Sequence, residues 1–300
     1  MSFSGELDAS IARSRQFLLE LQDKKDGFWV GNLESNASIT AEYIMLHHYL
    51  GTVDEGKERR ATDYILSRQL PDGSWNIYYG GSGDISVTLE AYVALKLSGF
   101  PMDQPNMIRA RDFIRAHGGI ARARVFTKVH LALLGLYPWK KVPHIPPEIL
   151  FFPTSFPLSI YQMSSWARSC VVPLSVIMAY HPSRSFAMTI DELNTPEEAS
   201  PNMFLDNKIS KLLFYMNAFF TGPNGPRPLR RQAIKAAERW ILAHQEPSGD
   251  WGGIIPAMLY SLLALITLGY PKEDPVITRG IESIERFTVE EGNLLWLQSC

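Results

Sequence analysis

Apolar residues along this chain recur at helical spacing, and strand-like alternation persists nowhere, so the pattern predicts an all-α fold. Three helix pairs stand out. Residues 7–21, 58–68 and 229–244 form the first helix of each pair, and residues 41–50, 90–98 and 258–268 the second. The second helices are apolar, each ending before a glycine (Gly51, Gly99, Gly269) suited to a left-handed cap. The turns between partners are written alike. Gln69-Leu-Pro-Asp-Gly73-Ser-Trp75 and Gln245-Glu-Pro-Ser-Gly249-Asp-Trp251 match position for position, and Gln22 through Gly27 to Trp29 is one residue longer. An aromatic residue (Phe17, Tyr64 or Trp240) precedes each glutamine by five positions. Such a pattern marks an internal repeat.

Two worn copies extend the series. Phe113 to Gly118 keeps the aromatic and the turn ahead of an apolar helix at 125–134, and residues 280–287 precede a degraded turn from Gly292 to Trp296. Helix pairs repeating at about 45 residues stack into a solenoid or close into a ring. Residues 137–156 and 181–202 interrupt the pattern as long loops, functional or mobile. From Met203 to Phe220, Leu205, Ile209, Leu212, Leu213, Met216, Phe219 and Phe220 form one apolar stripe, a core helix or a helix lying in a membrane surface.

Three hundred residues, 46% of them hydrophobic, can bury a large core. A net charge of -2 and the lack of a Lys/Arg run argue against a nucleic-acid partner. Cys170 and Cys300 make no disulfide framework and suit a reducing compartment, and the acidic start of the chain reads as no signal peptide. Residues 149–167 and 251–271 carry no charge, but their prolines and glycines argue against a membrane span. The histidines (His47, His48, His117, His130, His144, His181, His244) show no metal-ligand spacing, so neither metal nor cofactor is expected.

Acidic pairs such as Asp54/Glu55, Asp191/Glu192 and Glu290/Glu291 read as solvated charge. Glu42 and Glu90 open apolar helices and read first as acids favoured by the helix dipole. Phe152, Phe156, Tyr161 and Trp166 read as core aromatics.

The tandem Gln-x-x-x-Gly-x-Trp turns resemble those of the squalene–hopene cyclase and oxidosqualene cyclase family. Leu33-Glu-Ser-Asn, Val87-Thr-Leu-Glu-Ala-Tyr-Val-Ala-Leu95, Ala123-Arg-Val-Phe-Thr-Lys128, Ser165-Trp-Ala-Arg168 and Trp251-Gly-Gly-Ile254 strengthen the likeness, which covers essentially the whole chain and the family's amino-terminal half. The resemblance implies an α/α toroid over residues 1–300, with residues 1–30 as candidates to pack on the carboxy-terminal toroid. It implies an apolar cavity for a squalene-like polyprenyl substrate, with Glu42 and Glu90 buried beside it, Trp166, Ile254 and Pro256 in its wall, and Met163 and Val171 in its entrance channel. The repeat residues Gln22, Gly27, Trp29, Gln69, Gly73, Trp75, Gln245, Gly249 and Trp251 would brace helix ends. It also implies a cytoplasmic, monotopic protein on the inner face of the cell membrane, touching it through the stretch from Met203 to Phe220.

The family's proton donor, an Asp-x-Asp-Asp-Thr segment of its carboxy-terminal half, has no counterpart here, and Asp84-Ile-Ser-Val-Thr88 is the nearest look-alike. Ile255 stands where the family often has a polar residue. The expectation is a half-enzyme, inactive alone and completed by a carboxy-terminal half or partner chain. The alternative is a non-catalytic isoprenoid-binding or membrane-associated toroid.

Overall fold

The structure is a computed structural model that describes residues 3–25, 27–29, 31, 33–156, 159–195, 215–216, 218–219 and 227–300. It divides into two units, Met1–Leu33 and Glu34–Cys300. In the first unit, α1 (Phe3–Leu21) runs into the longest repeat turn, where Gln22 Nε2 donates to Gly27 O at 2.6 Å and Trp29 Nε1 to Leu18 O at 2.6 Å.

The second unit is all-α in class, an α/α toroid with an apolar inner layer and an amphipathic outer one. Its inner helices are α2 (Ala37–Leu50), α4 (Ile85–Leu97), α6 (Val125–Leu133), α7 (Ser165–Tyr180) and α9 (Ile255–Thr267). α2 and α4 bury nearly every side chain, because neighbours surround them on all sides. The outer helices are α3 (Glu55–Ser67), α5 (Pro105–Ala116), α8 (Arg227–Ala243) and α10 (Pro275–Glu285). Each buries a single stripe at helical spacing, for example Met107, Ala110, Phe113 and Ile114 on α5. α2 packs on α4, α7 on α9, and each of α3, α5 and α10 on an inner helix.

Side-chain caps start several helices: Asn36 accepts from Ser38 N, Asp54 from Gly56 N and Lys57 N, Asp84 from Ser86 N and Val87 N. The look-alike segment at Asp84 is therefore a cap. Beyond α2, α4 and α9, Gly51, Gly99 and Gly269 take positive φ, as expected from their place in the pattern.

The two matched turns share one geometry. Gln69 Nε2 donates to Gly73 O at 3.0 Å and to Asn106 O of α5 at 2.9 Å, while Gln245 Nε2 donates to Gly249 O at 3.0 Å and to Val276 O of α10 at 2.8 Å. Trp75 Nε1 donates to Ile65 O and Trp251 Nε1 to Ile241 O, at 2.6 and 2.8 Å. Each glutamine thus ties its own turn to the next outer helix, and each buried indole ties it to the preceding one.

After the first matched turn, β1 (Trp75–Asn76) pairs antiparallel with β2 (Gly83–Asp84). The worn turn from Gly292 to Trp296 is instead a hairpin of β3 (Thr288–Glu291) and β4 (Leu294–Leu297), with Gly292 at φ 59° between them. An apolar run this short carries no period that separates strand from helix. β4 packs on α3 and α2, Trp296 stacks on Tyr64 with centroids 6.1 Å apart, and Glu34 bridges to Gln298. Glu285 at the end of α10 accepts from Tyr43 Oη at 2.9 Å, pairs with Lys57 and lies 3.3 Å from His47 Nε2. Arg60 holds Glu290 through two bonds of 2.7 and 3.1 Å. The last helix pair thus closes on the first.

The loops read as functional or mobile are pinned where they are described. Arg230 Nε holds Glu148 Oε1 at 2.6 Å, and Glu192 accepts from Tyr92 Oη and Lys96 Nζ at 2.9 and 2.6 Å. Most of the stripe from Met203 to Phe220 lies outside the described residues. Among the described residues, no helix is long and apolar enough to cross a membrane.

Candidate functional site

The caps at Asn36 and Asp84 correct one expectation. Because α2 and α4 begin at Ala37 and Ile85, Glu42 and Glu90 are not helix-start acids; each lies five residues into its helix, 8% and 0% exposed. The same offset recurs round the inner layer. His130 lies five residues beyond the start of α6, Cys170 five beyond that of α7, and Tyr260 five beyond that of α9. Equal offsets put one polar or reactive side chain from each inner helix into a common buried layer.

Within it, ligand-type atoms of Glu42, Glu90 and His130 all lie within 4.8 Å of one another. Thr127 Oγ1 donates to Glu90 Oε1, Arg124 Nη2 lies 3.4 Å from Glu90 Oε2, and His130 Nδ1 lies 3.6 Å from Glu42 Oε1. Tyr260 stacks on His130 at 5.6 Å and on Phe126 at 6.1 Å. A cavity of about 20 Å³, lined by Glu42, His130, Met45, Leu46, Leu259 and Leu263 among others, adjoins the layer and has room for one water.

Burial dominates the electrostatics. It raises Glu42 well above the ordinary carboxylate range, with the charge of Glu90 adding to the effect. Glu90 is pushed up to about 7, burial outweighing the nearby Arg124 and the Thr127 hydrogen bond. His130 is pushed down to about 4 by burial and then by Arg124. Burial, and then Glu42, raises the Cys170 thiol to about 11. At neutral pH the imidazole is therefore neutral and the cysteine a thiol, while burial pulls both carboxyls toward their protonated forms.

The expected wall residues sit at the starts of inner helices. Trp166 is the second residue of α7 and 65% exposed; Ile254 caps α9 and Pro256 lies in its first turn. A Cβ at Gly252 would come 4.0 Å from Ser169 Oγ, so the start of α7 lies beside the corner that leads into α9. Met163 and Val171 are half-buried, before and within α7. Phe126, next to Tyr260, is 47% exposed. The structure thus brings Glu42 and Glu90 together and sets Trp166 near the Ile254 corner. Sequence reasoning missed Phe126, His130, Cys170 and Tyr260 as site residues, and it quoted Arg124 and Thr127 without a role. The signal that could have found them is a shared offset from each inner-helix start, visible only once those starts are known.

The profile of the squalene-hopene cyclase N-terminal domain matches residues 11–293. Dammaradiene synthase of Dryopteris crassirhizoma is 37% identical over 300 residues, covering 98% of this chain and 44% of that protein. Squalene hopane cyclase afumA of Aspergillus fumigatus is 37% identical over 291 residues, covering 91% and 39%. A squalene–hopene cyclase of Alicyclobacillus acidocaldarius is 38% identical over 291 residues, covering 94% and 45%. The chain spans less than half the length of these curated relatives.

Proposed function

The chain belongs to the squalene–hopene cyclase family through its amino-terminal domain, and on that premise we propose that it supplies one wall of an apolar cavity for cation-driven polycyclisation of squalene or a related polyprenyl chain. The observation that carries the reading is the aromatic margin of the inner layer. Phe126 and Trp166 stand exposed at the starts of α6 and α7, with Phe126 stacked on Tyr260 of α9. A ring face attracts a developing cation by about 0.5–2 kcal/mol. The same end holds Ile254 and Pro256, an apolar lining that excludes water from such a cation.

We propose further that the initiating acid comes from a carboxy-terminal toroid. Protonating an isolated alkene requires a carboxyl that is both protonated and strongly acidic. Burial favours the protonated forms of Glu42 and Glu90 and by the same effect weakens them as acids. Glu285 is strongly acidic, at about 2, and so is ionised and without a proton to give at neutral pH. Among the described residues, those with shifted carboxyls meet one requirement or the other, never both. The deciding experiment incubates purified chain with squalene, alone and with the carboxy-terminal half of a relative. Pentacyclic product is expected only in the second arm, and product from the chain alone would overturn the assignment of the acid. Squalene binding without product in either arm would favour the second reading, a non-catalytic isoprenoid-binding toroid, which draws on the same weakened acids.

Membrane contact is part of the proposal. Phe219 of the apolar stripe and Tyr215, which flanks it, are 63% and 67% exposed, and aromatic side chains favour the lipid–water boundary. Co-sedimentation with phospholipid vesicles that fails to retain the chain would remove this element and leave the cavity reading standing.

A further inference from the structure

Glu42, Glu90 and His130 come from three successive inner helices, one from each, and converge with ligand-type atoms within 4.8 Å of one another. We propose that this layer is a binding site for a divalent transition-metal ion, with carboxylate oxygens of Glu42 and Glu90 and Nδ1 of His130 as protein ligands and a water in the adjoining cavity as the fourth.

Two unsatisfied atoms point to the ion. Among the described residues, Glu42 Oε2 and His130 Nδ1 are buried without a hydrogen-bond partner, although their side chains are only 8% and 6% exposed. Unpaired polar atoms at such depth are destabilising, and these two belong to the residues that face each other at 3.6 Å. An ion between them would satisfy both. An ion would also displace the protons that burial favours on the two carboxyls, beside the single guanidinium of Arg124, which lies 3.4 Å from Glu90.

The donor set narrows the choice. One imidazole nitrogen and two carboxylate oxygens, with a water completing four-coordination, suit Zn²⁺, whose bonds to such ligands are about 2.0–2.2 Å. Atoms already within 4.8 Å reach that geometry through small side-chain rotations. The surrounding groups hold the ligands in place: Thr127 bonds Glu90, and the Tyr260 ring lies against the His130 imidazole. No short-range ligand spacing announces the site, because the contributing positions are separated by whole repeats. The inference does not rest on the cyclase reading, since an ion here would fasten three inner helices whether or not the cavity reacts.

The test uses the full chain with Cys300→Ser, to remove an exposed thiol. After chelator treatment and dialysis against Zn²⁺, elemental analysis should find one bound equivalent. Co²⁺ in its place should give the visible bands of a nitrogen- and oxygen-ligated ion. Glu42→Gln and His130→Phe should each weaken Zn²⁺ binding at least about tenfold by calorimetric titration, as expected when a direct ligand is lost. Glu192→Gln, outside the layer, should leave it unchanged. Zn²⁺ should also raise the melting temperature of the starting protein and of Glu192→Gln, and chelator should reverse the rise. Retention of under about a tenth of an equivalent by the starting protein overturns the proposal without reference to any variant, since a site of this kind holds its ion through dialysis. Undiminished binding by a helical Glu42→Gln/Glu90→Gln/His130→Phe variant overturns it as well.

Discussion

Two glycines with nearly the same backbone angle separate conformational strain from steric crowding. Gly73 has φ 88°, and a Cβ there would lie 2.4 Å from Arg109 Cβ and 2.5 Å from its carbonyl carbon. Gly99 has φ 84° with nothing within 4 Å of the added atom. Alanine at either site bears the left-handed penalty of about 1–2 kcal/mol. Gly73→Ala must also push α5 away from the turn, so its loss of stability in urea denaturation should exceed that of Gly99→Ala. Equal losses would mean that the turn gives way without disturbing α5. At this scale the repeat glycines were legible, because their spacing from glutamine and tryptophan is part of the pattern. The environment of Glu42 and Glu90 was not. Placing the helix starts at 41 and 90 instead of Ala37 and Ile85 turned two buried carboxyls into terminal ones, and the correct starts depend on capping by Asn36 and Asp84.

Among the elements, the repeat turn joins three pieces of chain at once. Gln245 donates to its own turn and to α10, and Arg279 of α10 donates back to Gln245 Oε1 at 3.0 Å. Gln22 donates to Gly27 O. Gln245→Ala strands two carbonyls and an arginine, at a cost of about 1–3 kcal/mol in a denaturant midpoint. Gln22→Ala removes a bond across one turn, and about 1 kcal/mol or less is expected. The reverse order would show that the link between successive outer helices does not carry the stability. Trp251→Phe keeps a ring against Gly280, where a Cβ would meet the indole at 2.9 Å, but drops the bond to Ile241 O. Its expected cost is about 1–2 kcal/mol, and lowered hydrogen-exchange protection at the end of α8 is the accompanying sign. Helix pairing was legible from apolar periodicity, whereas the β3–β4 hairpin was not, because its partners on α2 and α3 lie more than two hundred residues earlier in the chain.

For the molecule as a whole, the decisive contact is the closure of the second unit around Glu285. Hydrogen bonds and ion pairs from His47, Lys57 and Tyr43 overcome the burial that would raise this carboxyl and hold it at about 2, against 4.5 for an unperturbed glutamate. A carboxyl lowered on folding contributes stability that is complete above the unfolded value and fades as pH falls toward the folded one. Unfolding free energy should therefore drop as pH falls from about 4.5 to about 2, and Glu285→Gln should flatten that part of the profile while lowering stability at neutral pH. An unchanged acid limb in the variant would mean that closure rests on the apolar contact of Trp296 with Tyr64. The closure has a topological consequence. Because Glu34 and Gln298 are bridged neighbours, the second unit has no privileged first helix. A short linker across that bridge, with new ends cut in the exposed turn around Tyr79, would give a circular permutant with the same inner and outer layers.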